Sequence, residues 1–319
     1  MTIISKNILK AVEILNKEEL VAIPTETVYG LAGNIYSEKA VHKIFEMKNR
    51  PLFNPLIVHI HSINQLDELV SRVPGKARLL ANAFWPGPLT MVLKKKAHVP
   101  DLITAGKDSI AVRIPNHPVT LALLEQLNFP LAAPSANPFG CISPTTATHV
   151  EEYFGNKLQM VLDGGSCKNG IESTIIGFEH DEPVVYRLGA ISLEEIEKIV
   201  GTITIKNKSE AAPDAPGMLS RHYAPTTNTY LAANVKELIK SFPDKKVGLL
   251  LFCNEVDAPQ VRHQEILSKN GDLKEAAANL YTALHLLDKL NLDIIIAERL
   301  PDVGLGKSIN DRLERATKK

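Results

Sequence analysis

Apolar and polar positions along this chain follow two alternating periods. Residues 7–16 put Ile8, Val12 and Leu15 on one helical face, and Leu20–Ile23 is a short apolar run that reads as a buried strand. Ser37 is placed to cap a helix that ends at Lys48, with Glu38 in its first turn and Lys48 in its last. Both charges suit the helix dipole. Val41, Ile44, Phe45 and Lys48 share a face, so the apolar side should pack while Lys48 and Arg50 leave at the C-terminal end. Pro51 then stops the helix. Strands are predicted at 56–60, 85–95 (after a WPGP turn), 109–115, 129–134, 160–163, 173–178 and 183–189. Helices are predicted at 74–84, 117–127, 144–154 and 192–200. PTETVYGLAG at 24–33 and PSANPFG at 134–140 read as polar loops.

The pattern then breaks. Residues 206–228 hold three prolines and little periodicity, and a connection this long is a linker or a functional loop. Beyond it, helix (233–242), strand (246–252), a long helix capped by Asp272 (272–290), strand (293–300) and helix (308–317) alternate. That alternation predicts a small α/β unit with a parallel sheet. The division expected is 1–205, a connector at 206–228, and 229–319, in line with two domains for 319 residues.

Composition narrows the function. Apolar content of 45%, charged content of 23% and zero formal net charge describe an ordinary globular chain. With a pI near 7.2 it lacks the basic excess of a general polyanion binder. Cys141, Cys167 and Cys253 are scattered without a CxxC pair, which fits a reduced compartment and no structural zinc. No apolar run approaches the roughly 20 residues of a membrane span, and the charged N-terminus has no signal-peptide core. Cytoplasm and no membrane are the expectation.

The familiar nucleotide loops are missing. GLGKS at 304–308 has Pro301 where a Walker A loop needs its first glycine, so it reads as a turn into a helix. No GxGxxG and no HExxH occurs, and no metal site held by the protein alone is expected. Cations stand out instead. Lys48, Arg50, Arg113 and Arg187 each end a helix or strand beside Pro or Gly. Guanidinium pairs bidentately with phosphate or carboxylate. Hydroxyls and amides (Thr25, Thr27, Ser135, Asn137, Ser143, Ser173, Thr174) lie between strands and could orient a small polar ligand, although such residues also simply make turns. His59, inside a strand, reads as a structural hydrogen bonder. Glu26 and Glu172 are the candidate general bases, but with no partner at triad spacing they read as turn carboxylates. The run Lys94–Lys96 reads as a solvated strand end.

In order along the chain, PTETVYGLAG, KNRPLFNPLIVHI, WPGPLT, AVRIP, PSANPFG, DGG with GIEST, and RLG span residues 20–189. This set resembles the threonylcarbamoyl-adenylate synthases, built on the YrdC-type domain. APGMLSRHYAP and AERLPDVGLGKSINDRLERA resemble the longer, two-domain subtype. The resemblance implies a twisted open mixed α/β sheet with a concave basic surface, followed by a smaller Rossmann-like unit. It implies condensation of L-threonine, bicarbonate and ATP to threonylcarbamoyl-AMP and pyrophosphate, with Mg²⁺ accompanying ATP. A partner transferase would then modify tRNA.

Position by position, the resemblance puts Thr27, His59, Arg113, Ala133 and Ser173 on the threonine side. It puts Arg50, Asn54, Ser109, Ser135, Ser143 and Arg187 on the ATP side. Lys48 falls on the lysine of the family's KxRP motif, and Lys48 and Arg50 are the expected catalytic cations. His222 and Tyr223 fall on residues that fold over the site. Many relatives carry Thr where this chain has Ser109, and the hydroxyl is kept. The carbamate is already an anion, so adenylation calls for positioning and charge stabilisation rather than a dedicated base. Two other readings are a YrdC-like module that holds double-stranded RNA or tRNA without chemistry, and a carbamoyltransferase of the hydrogenase-maturation type. The latter would normally bring acylphosphatase and zinc-finger segments, and this sequence shows none.

Overall fold

The computed structural model describes residues 2–207 and 222–318. Its larger sheet has eleven strands. In spatial order they are β1 (Ile3–Ser5), β8 (Met160–Leu162), β2 (Val21–Ile23), β3 (Gly30–Asn34), β7 (Leu131–Ala132), β4 (Ile57–His59), β6 (Ser109–Arg113), β5 (Leu89–Lys94), β9 (Thr174–Glu179), β10 (Glu182–Arg187) and β11 (Thr204–Ile205). The sheet is mixed: β4 and β6 run parallel, while β2–β3, β5–β6 and β9–β10 are antiparallel. A second sheet of four parallel strands runs in the order β12 (Thr229–Ala232), β15 (Ile294–Glu298), β13 (Val247–Leu251), β14 (Val261–Ile266). The helices are α1 (Ile8–Asn16), α2 (Glu38–Lys48), α3 (Ile63–Leu69), α4 (Gly75–Phe84), α5 (Asp101–Thr104), α6 (Pro118–Glu125), α7 (Ala147–Phe154), α8 (Leu193–Val200), α9 (Val235–Ile239), α10 (Leu273–Asp288) and α11 (Leu305–Ala316).

Local chemistry explains the helices that the sequence predicts. The Ser37 hydroxyl accepts from the Ala40 N–H at the start of α2, and Asn49 ends that helix in the left-handed region. Ser192 and Glu195 form a reciprocal capping box on α8. The Asp272 carboxylate caps α10 by accepting from the Lys274 and Glu275 N–H groups.

Several elements differ from expectation, among them β1, α5, β11 and β12, where no helix or strand is predicted. The second half of PTETVYGLAG is strand β3, because Gly30–Asn34 pairs with β2 and β7 despite its glycines. α3 and β14 are also new. β14 is an edge strand paired only with β13, so its sequence VRHQEI shows no apolar alternation to read. Lys48 does not leave with the solvent. It is buried with the apolar face of α2.

Two interfaces join the layers. Beneath the larger sheet, α2 and α4 pack Ile44, Phe45 and Leu80 against Leu31, Val58 and Val112. A second cluster crosses between the two sheets and joins Val28, Ile142 and Ile171 to Leu280, Tyr281 and Leu284 of α10 and Ile309 and Leu313 of α11. The glycine of GLGKS serves this packing: a Cβ on Gly306 would stand 1.9 Å from the Pro301 carbonyl oxygen. Lys307 reaches Glu194 of α8 at 2.7 Å, and the Ser308 hydroxyl donates to the Gly189 carbonyl at 2.8 Å. This segment is a docking turn, not a phosphate loop.

Candidate active site

Thr25 builds the first wall. Its Oγ1 donates to the Val28 carbonyl at 2.6 Å and accepts from the Thr27 and Val28 N–H groups, which folds the loop after β2 into a tight turn. The Thr27 hydroxyl is then 2.9 Å from Arg113 Nη1, which donates to it. Arg113 ends β6, and its Nε donates to the Gly87 carbonyl at 3.1 Å. On its third side Glu26 Oε1 lies 2.7 Å from Nη2, with both side chains buried. Among the described residues neither that nitrogen nor the Glu26 oxygens meet hydrogen-bond geometry. Glu26 is therefore a buried ion-pair partner rather than an exposed turn carboxylate.

His59 stands opposite Arg113 in the parallel register of β4 and β6. Burial, followed by the Arg113 charge, lowers its pKa to about 3, so the ring is neutral near pH 7. Its Nδ1 is buried without a hydrogen-bond partner among the described residues.

The opposite wall comes from β9, β10 and the loop after β7. The Arg187 guanidinium donates to the Ser173 carbonyl from Nε (3.1 Å) and Nη2 (2.9 Å), and Nη2 also donates to the Ser173 hydroxyl at 3.0 Å. Ser173 in turn shares a 2.7 Å hydrogen bond with Thr90. Gly189 in the RLG run lets this corner close, since a Cβ there would lie 2.4 Å from the Ser173 carbonyl carbon and the Thr174 nitrogen. Arg50 donates to the Asn54 carbonyl (3.2 Å) and the Pro55 carbonyl (2.9 Å), which aims it along the loop. Burial, with Arg187 next, lowers its pKa to about 9, and it stays cationic at neutral pH.

Lys48 Nζ donates to the carbonyls of Ser135 and Asn137, each at 2.6 Å, and so holds the PSAN loop from beneath. Burial, with Arg50 second, pushes its pKa well below the usual range.

These groups surround one cavity of about 580 Å³, mouth included. Thr27, His59, Arg113, Ala133, Ser173, Arg50, Ser135, Arg187, His222 and Tyr223 line it, and so do Thr25, Val28, Gly30, Ile57, Pro134 and Glu172. Lys48, Asn54, Ser109 and Ser143 do not. Asn54 is fully buried, and its side-chain atoms have no hydrogen-bond partner among the described residues. The Ser143 hydroxyl donates to Glu172 at 2.6 Å. Ser109 opens β6 on the same sheet face as Ala111 and Arg113, about 13 Å from Arg113 at ~3.3 Å per residue. Between them lies an apolar floor of Ile57, Ala111, Val92 and Ile175. The strand face thus runs from a cationic end, across an apolar stretch, to a hydroxyl.

Thr25 and Glu172 are the lining residues that sequence reasoning undervalued. The T-E-T spacing held a signal for Thr25. Glu172 held none, because its ion-pair partner is Arg312, 140 residues away. The lysine run is engaged locally: Lys95 reaches Asp101 at 2.6 Å, and Lys96 donates to the Asp67 carbonyl. Most of the connector expected to cover the site, 208–221, lies outside the described residues. His222 and Tyr223 lie inside them: the rings of Phe139 and His222 meet edge to face at 5.6 Å, and Arg312 stacks 4.9 Å from the Tyr223 ring. No helix among the described residues is long and apolar enough to cross a membrane.

The chain matches known proteins over nearly its whole length. Residues 13–189 match the Sua5/YciO/YrdC family model, described as telomere recombination. Residues 191–317 match the model for the threonylcarbamoyl-AMP synthase C-terminal domain. The chain is 43% identical over 317 residues to the threonylcarbamoyl-AMP synthase of Pyrococcus abyssi, covering 95% of this chain and 92% of that protein. It is 39% identical over 322 residues to the Bacillus subtilis protein of the same name, covering 97% and 92%. A crystal structure of P. abyssi Sua5 complexed with L-threonine superposes with a TM-score of 0.93 at 42% identity, covering 99% of this chain and 98% of that one. On these matches, over both halves of its length, the chain belongs to the threonylcarbamoyl-AMP synthase family, in the form that carries the additional C-terminal domain.

Proposed function

We propose that this chain condenses L-threonine, bicarbonate and ATP into threonylcarbamoyl-AMP and pyrophosphate. The observation that carries the reading is a single cavity with two kinds of cationic station. Arg113, with Thr27 and neutral His59, forms one end, and Arg50 with Arg187 and Ser135 forms the other. Threonine is assigned to the Arg113 end. Its carboxylate is assigned to the Arg113 guanidinium, whose Nη2 also faces Glu26, and Thr27, His59, Ser173 and the Ala133 backbone read its polar groups. The P. abyssi relative of the same overall fold was solved as a complex with L-threonine, which supports threonine as a substrate.

ATP is assigned to Arg50, Arg187 and Ser135, with Asn54, Ser109 and Ser143 as outer contacts. In the first step the threonine amine forms an N–C bond to bicarbonate carbon, and water leaves. In the second, the carbamate oxygen attacks the α-phosphorus and the bond to pyrophosphate breaks. Arg50 and Arg187, both buried side chains, bear on the charge that develops there. Lys48 acts from below by fixing the PSAN loop. No group of three or more His, Cys, Asp or Glu able to hold a metal exists among the described residues. Mg²⁺ is assigned to the nucleotide it arrives with, where it supplies charge neutralisation.

Residues 206–228 are assigned as a connector that closes over the site. α11 holds both of its ends: Arg315 Nη2 donates to the Asn207 carbonyl at 2.8 Å, and the Arg315 carbonyl accepts from the His222 N–H at 3.4 Å. The product is a mixed anhydride, so a cytoplasmic transferase that delivers the threonylcarbamoyl group to tRNA is the implied partner. Direct tRNA contact is at most weak for a chain of zero net charge. Pyrophosphate release tests the reading. It should require threonine, bicarbonate and ATP together. Release without threonine would refute the condensation, and a salt-dependent tRNA shift with no ATP turnover would favour the RNA-binding alternative.

A further inference from the structure

Glu172 is a buried carboxylate on the wall of a cavity whose other charged lining residues are the cations Arg50, Arg113 and Arg187. A negative charge beside Arg50 and Arg187 would weaken any site for phosphate. Its oxygens are nevertheless engaged on the far side. Oε2 accepts from Arg312 Nε at 2.8 Å, Oε1 accepts from the Ser143 hydroxyl at 2.6 Å, and the Tyr281 hydroxyl lies 3.0 Å from both. Arg312 and Tyr281 come from α11 and α10, beyond residue 229. Burial alone would raise the Glu172 pKa, but Arg312 first and Arg187 second lower it to about 2. The carboxylate is charged at neutral pH, and Arg312 is its principal neutralising partner.

Arg312 is itself over-determined. Nη1 reaches Asp311 Oδ2 at 2.7 Å, Nη2 donates to the Leu188 carbonyl at 2.6 Å, and the guanidinium stacks on Tyr223. Leu188 immediately follows Arg187, and Tyr223 stacks in turn on Tyr281 at 5.9 Å. One side chain thus holds the carboxylate, the backbone beside Arg187 and a cavity-lining aromatic. A bidentate, planar cation can make all three contacts, and a lysine cannot.

We propose that Arg312 is a positioning residue for the nucleotide end of the cavity: it binds Glu172 from behind, so that the charge of Arg187 is directed at the ligand rather than at that carboxylate. The C-terminal domain then contributes to the electrostatics of catalysis and does more than carry the connector. This inference rests on the assignment of Arg187 to ATP.

The test measures ATP and L-threonine affinity separately by calorimetry on the full chain, alongside KM for each substrate in pyrophosphate release. Arg312→Met removes the counter-ion, and Glu172 turns to Arg187. ATP affinity should fall tenfold or more, while threonine affinity stays within twofold. Adding Glu172→Gln removes both charges together, and most of the lost ATP affinity should return. Arg312→Lys, which keeps charge without the fork, should fall between wild type and Arg312→Met. Unchanged ATP affinity in Arg312→Met, equal loss of both ligands, or no recovery in the double variant would overturn the inference. Should Arg312→Met lose its cooperative thermal transition, the comparison of Arg312→Lys with Arg312→Lys/Glu172→Gln decides by the same criteria. A wild-type chain that binds no ATP sinks the functional reading and this inference with it. Normal ATP binding in both wild type and Arg312→Met sinks the inference alone.

Discussion

Glu26→Gln separates two things the Arg113 station does. Glu26 Oε1 lies 2.7 Å from Arg113 Nη2 in a pair whose side chains are 7% and 4% exposed. Removing one partner of a buried ion pair costs about 3–5 kcal/mol, because the other charge stays behind uncompensated. Gln keeps the size and removes only the charge. At about 2 °C per kcal/mol for a chain of this length, the ligand-free protein should melt roughly 6–10 °C lower.

Threonine changes the balance. At one hundred times its Kd a ligand that binds only the folded state adds about 2.7 kcal/mol, or roughly 5 °C, to the wild type. In Glu26→Gln the threonine carboxylate meets an Arg113 without a counter-ion. If it restores half of a ~4 kcal/mol loss, its Kd tightens about thirtyfold. Differential scanning fluorimetry over a threonine titration reads both effects. A melting shift under ~2 °C for the ligand-free variant would refute the view that this pair is a buried charge balance. A weaker threonine response than the wild type would place Glu26 against the threonine ammonium and refute the assignment of its carboxylate to Arg113.

Three other outcomes follow from the site. Lys48→Met leaves the Ser135 and Asn137 carbonyls without their 2.6 Å donor. It should cost about 1–3 kcal/mol of stability and abolish pyrophosphate release with the far-UV circular dichroism unchanged; retained activity would remove Lys48 from the machinery. Replacing 208–221 by a short Gly/Ser segment should leave ATP cleavage while letting the mixed anhydride escape, scored as hydrolysed threonine and AMP in solution; full product retention would argue against a closing role. Stability should fall with acid below pH 6.5. His149 and His285, stacked at 3.9 Å across the two domains, have pKa values lowered to about 4, each by burial first. Because the folded values lie below the unfolded one, the stabilisation is complete above 6.5 and is lost as pH drops toward 4. Each excluded proton contributes up to about 1.4 kcal/mol per pH unit, so His285→Phe should flatten the urea midpoint between pH 6 and 4.5. An unchanged slope would refute it.

What the sequence made legible was local. Ser37, Ser192 and Asp272 announce helix starts because a cap needs only the three residues that follow it. The cations were visible because each stands at the end of an element beside a turn. What stayed hidden was long-range. β14 carries polar residues on a sheet edge and shows no alternation. β3 is a strand by virtue of its neighbours rather than its composition. His59 read as an ordinary strand histidine from periodicity alone, and only its register with Arg113 places it in the cavity. Glu26 and Glu172 looked like turn carboxylates, because each finds its counter-ion 87 or 140 positions later.

Those two carboxylates show how the site holds its cations without losing them. A buried guanidinium needs a balancing charge to stay folded, yet it must keep a face for the ligand. Arg113 solves this locally, with Glu26 on one nitrogen and hydrogen bonds to Thr27 and Gly87 on the others. The end proposed for ATP cannot, since a bare Glu172 would compete with phosphate for the same arginines. Importing Arg312 from α11 neutralises it from outside the cavity. Asp311 and Arg315 extend the same cluster to Asn207, where the connector begins. The charge balance around Glu172 and Arg187 and the anchoring of Asn207 therefore depend on one helix, so a change in either should be felt in the other.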